Sequence, residues 1–342
     1  MSKEMNILYI GGYWSTNIGN AFYDLGIRKL ISSIDKEINF HIVSDLQKYA
    51  WAKYNSENAV SFNLCEHYSN IDYLIMSGPM LYPEYMEDWK DTLFQVMKQG
   101  TKVILLSVGG NEYTEEEVYR NREILRDLHL YAMFSRDGET YECYKDLFEY
   151  SYNGICCAFF IPEYFKPWKL DINPYVVYDF ESYNEPLFVE AEEGFSFAGG
   201  RWKQKNELEP IHKFWLRFKE YPNSVFYGLD IIRTKNTCLA PRQKKYYGKN
   251  IFLSNVATDY LNIYANAEAI FSDRVHACVG ALAQGTPAMF FGTTRRANLF
   301  RRVNVCVGGG GNNVFEKPVT IPVSDLDRER QNLRDRLREI LV

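Results

Sequence analysis

The 342-residue sequence lacks the features of membrane proteins, disulfide frameworks and zinc sites. No apolar run approaches the roughly 18 residues that a membrane-spanning helix needs, and Asn6–Ile10 is too short for the core of a signal peptide. The seven cysteines include no C-x-x-C pair, and Cys156 and Cys157 are adjacent, which indicates neither a disulfide framework nor a zinc cage. We therefore predict a cytoplasmic protein with no metal and no integral membrane segment.

Excess positive charge is also missing. The net charge is −5 and the pI is near 5.7, which argues against a nucleic-acid partner, because such binding favours a basic surface. Any site for an anion must therefore be local. The motif G-x-G-x-x-G is absent, so a dinucleotide-dependent oxidoreductase is the least favoured class of enzyme.

What is present indicates two α/β domains. The chain is long enough for two Rossmann-sized domains, and 46% of its residues are apolar. In the first half, helical stretches separate short apolar runs, which predict a parallel sheet with strands at Ile7–Ile10, Phe40–Val43, Tyr73–Met76, Val103–Ser107 and Met133–Ser135. The proline-bearing stretch Ile161–Pro174 has no apolar periodicity and suits an interdomain connection. We place the boundary near residue 170, giving doubly wound domains at 1–170 and 171–342.

The second domain shows weaker strand signals before one clear unit. Strands are predicted at Tyr175–Tyr178, Phe195–Ala198, Val225–Tyr227 and Ile251–Leu253. The clear unit is Ala269–Gly292, a strand–helix–strand crossover whose helix carries an apolar stripe of Val275, Cys278, Val279, Leu282 and Ala283. Ser272 or Asp273 could cap this helix, and Gly285 followed by Pro287 ends it.

The first turn of that helix carries two basic residues, Arg274 and His276. The positive end of the helix dipole disfavours cations and favours anions, so this placement becomes reasonable if an anion binds the free backbone N–H groups there. The structural alternative is that Arg274 pairs with Asp273 or a neighbouring acid, and that His276 is a helix-rim residue beside the core.

The run Arg274-Val275-His276-Ala277, followed by the helix and Gly285-Thr286-Pro287, resembles the C-terminal signature of polysaccharide pyruvyl transferases. Asn17-Ile18-Gly19-Asn20 is similar to the Asn-x-Gly-Asp motif of that family, with Asn20 where an aspartate is usual. An asparagine can cap or donate hydrogen bonds but cannot act as a base. The resemblance implies a two-domain arrangement of the GT-B type with a cleft between the domains, and a terminal helix at 324–342 that packs back on the first domain.

The resemblance further implies transfer of a pyruvyl (carboxyethylidene) group from phosphoenolpyruvate to a sugar diol, with Arg274 and His276 in the donor site. The first domain would present a glycan or lipid-linked sugar, the second would hold phosphoenolpyruvate, and no cofactor is required. Gly78 and Arg136 follow strands in loops that also resemble family features, although Arg136-Asp137 would equally suit a cap and a surface pair. Arg201 is the candidate for a further donor-site arginine, with a solvated basic loop as the alternative.

Arginines are concentrated again behind the crossover, at Arg295, Arg296, Arg301 and Arg302. Arginine forks match phosphate and carboxylate, and we expect Arg295 or Arg296 to face the cleft. The glycine run Gly308–Gly311 would be a loop over the cleft or a connector. Two other functions remain open: a nucleotide-sugar glycosyltransferase of the GT-B type, and a non-catalytic sugar-binding relative, which Asn20 and the single glycine at Gly78 would suit.

Overall fold

The structure is a computed structural model that describes most of the chain. The residues described are 4–12, 14, 17–35, 37–45, 64, 68–181, 185, 188–191, 194–197, 225–226, 228–235, 250–292, 294–305 and 318–341. Two features predicted from the sequence, Arg201 and the glycine run Gly308–Gly311, lie outside these residues.

The first domain is built on a six-stranded parallel sheet of order β2-β1-β3-β4-β5-β6. Its strands are β1 (Met5–Gly11), β2 (Ile38–Ser44), β3 (Tyr73–Leu81), β4 (Lys102–Gly110), β5 (Ala132–Ser135) and β6 (Tyr150–Asn153). The central strands are apolar on both faces because helices cover both sides, as in all doubly wound sheets. The five predicted strands are present. Strand β6 is an additional edge strand, which was not predicted because its sequence is short and polar.

Helices connect these strands and cover the sheet. They are α1 (Gly19–Ile34), α2 (Pro83–Lys98), α3 (Glu115–Leu128), α4 (Gly138–Tyr144) and α5 (Ile161–Tyr164). Helix α1 packs against a 3-10 turn at Cys157–Phe160, where Gly26 lets the two backbones approach closely. This contact places the start of α1 beside the segment that leads to the second domain.

The second domain has a smaller sheet of order β10-β11-β7-β13-β14, with β12 beside β11. Its strands are β7 (Tyr175–Asp179), β10 (Val225–Phe226), β11 (Leu229–Thr234), β12 (Ile251–Phe252), β13 (Ala269–Ser272) and β14 (Ala288–Phe290). All pairings are parallel except that of β10 with β11. The helices that follow β12 and β13 are α6 (Ala257–Ala265) and α7 (Val275–Ala283).

The predicted strand at Phe195–Ala198 is present as β9 (Gly194–Phe197), but β9 pairs with β8 (Phe188–Ala191) in a separate antiparallel hairpin and does not join the parallel sheet. Strand β11, which lies directly beside β7, was missed. Its apolar pattern is broken by Arg233, which is buried because it forms a two-pronged ion pair with Glu185 at 2.8 Å.

The last helix, α8 (Val323–Leu341), lies on the first domain. The carbonyl oxygen of Ile340 accepts a hydrogen bond of 3.0 Å from the Tyr73 hydroxyl, and Arg334 binds Ser33 on α1 and Glu163 on α5. One apolar cluster runs from the first sheet through α1 to the second sheet. The α/β fold with two parallel-sheet domains is thereby confirmed. Within the described ranges, no helix is long and apolar enough to cross a bilayer.

Candidate functional site

The site is organised by the start of α7. Arg274 is the N-cap residue, with extended backbone and no capping side-chain bond. The two caps predicted from the sequence were wrong, because both side chains are used elsewhere. Ser272 accepts a bond of 2.8 Å from the backbone N–H of Arg274, and the carboxylate of Asp273 accepts the backbone N–H of Glu181. The positive end of α7 therefore has no side-chain oxygen from its own cap.

His276 stands in the first turn of α7, against the start of α1. A β carbon built on Gly19 would lie 3.0 Å from the β carbon of His276, so the two helix starts are in direct contact. The ring of Tyr23, one turn into α1, has its centroid 5.2 Å from that of His276. The sulfur of Cys156 lies 3.7 Å from Nε2 of the histidine. The family-like motifs at 17–20 and 274–277 thus meet in space.

Arg136 approaches from the carboxyl end of β5. Its side chain lies over Gly109, where a β carbon would be 2.5 Å from Nε, so glycine is needed at that position. The residue is 2% exposed, and its Nε has no hydrogen-bond partner among the described residues. The neighbouring Asp137 caps α4 through the Thr140 backbone N–H at 2.7 Å and does not pair with it. Arg136 is therefore no surface residue, and a buried cation of this kind calls for an anion.

Two more arginines complete the surroundings. Arg274 lies 3.5 Å from a carboxylate oxygen of Glu181, so the neighbouring acid considered in the sequence analysis is present, and it is Glu181. Arg296, at the start of a 3-10 helix over Arg295–Val303, donates a hydrogen bond to the side-chain oxygen of Asn111. Asn111 belongs to the loop after β4, whose backbone N–H groups are held by Glu117.

The electrostatic result is a histidine that resists protonation. His276 keeps some exposed surface, but its ring is packed among protein atoms, and this burial lowers its pKa well below the usual value. The charges of Arg136, Arg274 and Arg296 lower that pKa further. The pKa of Arg296 is itself lowered, first by burial and then by Arg136. The three arginines repel one another and oppose protonation of His276. A bound anion would stabilise all three arginines and the protonated form of the histidine.

The other predicted residues divide into two groups. Asn17 accepts a bond of 3.2 Å from the Gly19 backbone N–H, Asn20 packs at Gly12, and Gly78 lies against the Tyr23 hydroxyl, so all are near the start of α1. Arg295 is different, because its guanidinium pairs with Glu139 at 2.9 Å and is half exposed. Of the two arginines, Arg296 is the one whose charge lowers the pKa of His276.

Tyr23 and Asp24 were missed by sequence reasoning. Asp24 is fully buried on α1 and accepts hydrogen bonds from Tyr9, Trp14 and the Gly12 backbone N–H. Burial raises its pKa to about 7, although those three donors oppose the rise. An acid inside the apolar face of a helix is a visible sequence signal, and here it marks the carboxylate that fixes the loop after β1.

The described part of the chain brings no three His, Cys, Asp or Glu residues together in a way that could hold a metal ion. What the site offers instead is fixed cations, a histidine and a tyrosine hydroxyl at a meeting point of two domains. Such a set can bind a small multivalent anion and can move protons at a neighbouring atom.

Comparisons with solved structures agree with the two-domain fold. The chain is similar to the S. aureus MnaA–UDP co-structure at 10% identity, with 98% of this chain and 91% of that chain covered and a TM-score of 0.52. A UDP-GlcNAc 2-epimerase from Methanocaldococcus jannaschii gives 13% identity, 96% and 92% coverage and a TM-score of 0.47. The first of these likenesses, at 10% identity and a TM-score of 0.52, concerns the fold alone, which is the predicted GT-B arrangement.

Sequence comparisons give the family. A search of curated proteins returns no significant match. The family described as polysaccharide pyruvyl transferase matches residues 17–295, a span that begins at the Asn17 motif and includes the Arg274 motif. Because this match covers most of the chain, and because the structure brings its two motifs into contact at His276, the protein belongs to the polysaccharide pyruvyl transferase family.

Proposed function

We propose that the protein transfers the pyruvyl group of phosphoenolpyruvate to a sugar diol of a glycan or lipid-linked precursor, forming a ketal and releasing phosphate. The observation that carries this proposal is the buried guanidinium of Arg136 at a histidine that is also flanked by Arg274 and Arg296. Phosphoenolpyruvate carries a carboxylate and a phosphate ester on the same carbon atom, which suits a site with several arginines around one histidine.

The chemistry requires one proton to be delivered to carbon. One sugar hydroxyl adds to C2 of the enol while a proton is added to the methylene carbon, and the second hydroxyl then displaces phosphate. Of the two protons that the diol loses, one is balanced by the new methyl group and one leaves with phosphate. His276 is the acid in this proposal, the arginines hold carboxylate and phosphate, and residues of the first domain, 1–170, present the diol.

A pair of arginine variants tests the donor site. Arg136→Met should weaken phosphoenolpyruvate binding by about 2–5 kcal/mol, because a desolvated charge contact is lost. It should also raise the midpoint of thermal unfolding, since burial of this charge is costly and its Nε has no partner among the described residues. Binding is measured by calorimetry, and phosphate release is measured with a panel of methyl glycosides.

The matched control is Arg302→Met. Arg302 is bound by Glu329 and by the carbonyl oxygens of Asn153 and Gly154, so its loss should lower the midpoint and leave donor affinity unchanged. Binding of a nucleoside diphosphate but not of phosphoenolpyruvate by the unmodified protein would refute the proposal and favour a glycosyltransferase. Sugar binding with no phosphate release would favour the non-catalytic relative.

A further inference from the structure

The hydroxyl of Tyr23 occupies a narrow space between two glycines. A β carbon built on Gly12 would lie 2.6 Å from the hydroxyl oxygen, and one on Gly78 would lie 2.8 Å from it. Gly12 directly follows β1, and Gly78, with a φ of +93°, lies in the carboxyl-terminal half of β3. Neighbouring strands thus both leave room for this one oxygen, at the edge of the sheet where such folds bind ligands.

The hydroxyl makes no hydrogen bond with any residue that the structure describes, although Tyr23 is only 3% exposed. The polar groups around it do have hydrogen-bond partners. The Tyr9 hydroxyl bonds to Asp24 and Ser77, and the Gly12 backbone N–H and the Trp14 indole N–H donate to Asp24. The oxygen is not among the fully buried unpaired atoms of the described residues, so it keeps a small accessible surface although the ring is buried. A ligand that reaches this surface can take up the hydrogen bond that no described residue takes up.

The position of Tyr23 indicates which ligand. Its ring contacts the ring of His276, and both glycines beside its hydroxyl belong to the first domain. Burial raises the pKa of Tyr23 well above 10, so the group is a neutral donor at all ordinary pH values. A neutral hydroxyl matches a neutral sugar hydroxyl, whereas the arginines match the anionic donor substrate.

We propose that Tyr23 is an acceptor-binding residue, whose hydroxyl donates a hydrogen bond to an oxygen of the sugar diol beside His276. This inference rests on the proposed function and adds to it the residue that positions the acceptor. Gly12 and Gly78 are the positions whose missing side chains keep that oxygen accessible to the sugar.

The test is Tyr23→Phe, which removes a single oxygen. The acceptor is the methyl glycoside that supports the fastest phosphate release by the unmodified protein. KM for this glycoside should rise about three- to tenfold, the usual effect of one hydrogen bond. The dissociation constant of phosphoenolpyruvate should stay within about twofold, and the thermal midpoint should not fall, because no internal bond is lost.

The matched control is Tyr144→Phe. Tyr144 is equally buried, but its hydroxyl accepts a bond of 3.3 Å from Asn121, in the apolar cluster on the other face of the first sheet. This variant should lose stability and keep KM for the glycoside.

Three results would overturn the inference for Tyr23: an unchanged KM for the glycoside, a weaker affinity for phosphoenolpyruvate, or a loss of stability like that of the control. If the unmodified protein neither binds phosphoenolpyruvate nor releases phosphate from it, the proposed function falls and the inference falls with it. The two failures can be told apart. If only the Tyr23 inference fails, the unmodified protein still releases phosphate and Tyr23→Phe has the same KM for the glycoside.

Discussion

At the scale of single residues, the site concentrates positive charge around a histidine whose protonation that charge opposes. Arg136, Arg274 and Arg296 all lower the pKa of His276, in addition to the effect of burial. A residue that must deliver a proton needs the opposite environment. A multivalent anion supplies it, because its charge offsets the arginines and favours the protonated ring.

We therefore expect phosphoenolpyruvate binding to take up a proton near neutral pH. His276 is neutral in the free folded protein, and the bound anion raises its pKa. Calorimetry in buffers of different ionisation enthalpy measures the uptake, which should disappear in His276→Asn. That variant should bind the donor within about tenfold but lose turnover by about 10²–10⁴. Equal heats in all buffers, or normal turnover by the variant, would place the acid elsewhere.

The same lowered pKa has a consequence for stability. Because the pKa of His276 is lower in the folded state than in the unfolded state, the contribution of this residue is present above the unfolded value of about 6.5. It is lost as pH falls through the folded-state pKa, since the unfolded chain binds the proton more readily.

At the scale of elements, the site depends on how closely α1 approaches the turn at Cys157–Phe160. A β carbon on Gly26 would lie 1.9 Å from the carbonyl oxygen of Cys157, and that oxygen belongs to backbone and cannot rotate away. The same turn follows Cys156, which contacts His276. The position of α1 therefore decides where Gly19 and Tyr23 meet the histidine.

Gly26→Ala should consequently destabilise the protein by about 1–3 kcal/mol or more, the range for inserting an atom into a packed interior. The matched control is Gly138→Ala, also in a helix, where the nearest atom to a new β carbon is Asn153 Nδ2 at 3.7 Å. The control should be neutral or slightly stabilising, because alanine favours helix. Chemical denaturation compares the two, and equal stabilities would show that α1 shifts without cost.

At the scale of the whole molecule, the site is a contact between domains. Arg296 and Asn298 come from the 3-10 helix after the second sheet and bind Asn111 and Glu139 of the first domain. These polar contacts and the shared apolar cluster hold the two sheets together. The charge of the molecule is negative, yet the contact region is locally positive.

Donor affinity should therefore fall as salt concentration rises. The net charge of −5 repels phosphoenolpyruvate at long range, and only the local arginines attract it. Raising sodium chloride from about 50 mM to 500 mM shortens the screening length severalfold and should weaken binding measurably. The dependence should be shallower in Arg136→Met. Affinity that does not change with salt would indicate a mainly apolar pocket.

Much of the first domain followed from its sequence, because its strands are continuous apolar runs and its helices keep a regular period. All five strands predicted for that domain are present, and both family motifs were recognised. The second sheet was predicted less well. Strand β11 carries a buried arginine, which is acceptable because Glu185, 48 positions away, pairs with it.

Local pattern was sufficient for the fold class and the family, because periodicity, turn residues and motif chemistry depend on near neighbours in the chain. The composition of the site was decided by tertiary structure. Nothing near Arg136 in sequence shows that its side chain is buried with an Nε that no described residue pairs with, and nothing distinguishes Arg295 from Arg296. Those differences arise because Glu139 lies within reach of one arginine and Asn111 within reach of the other, and such contacts exist only once the two domains have packed.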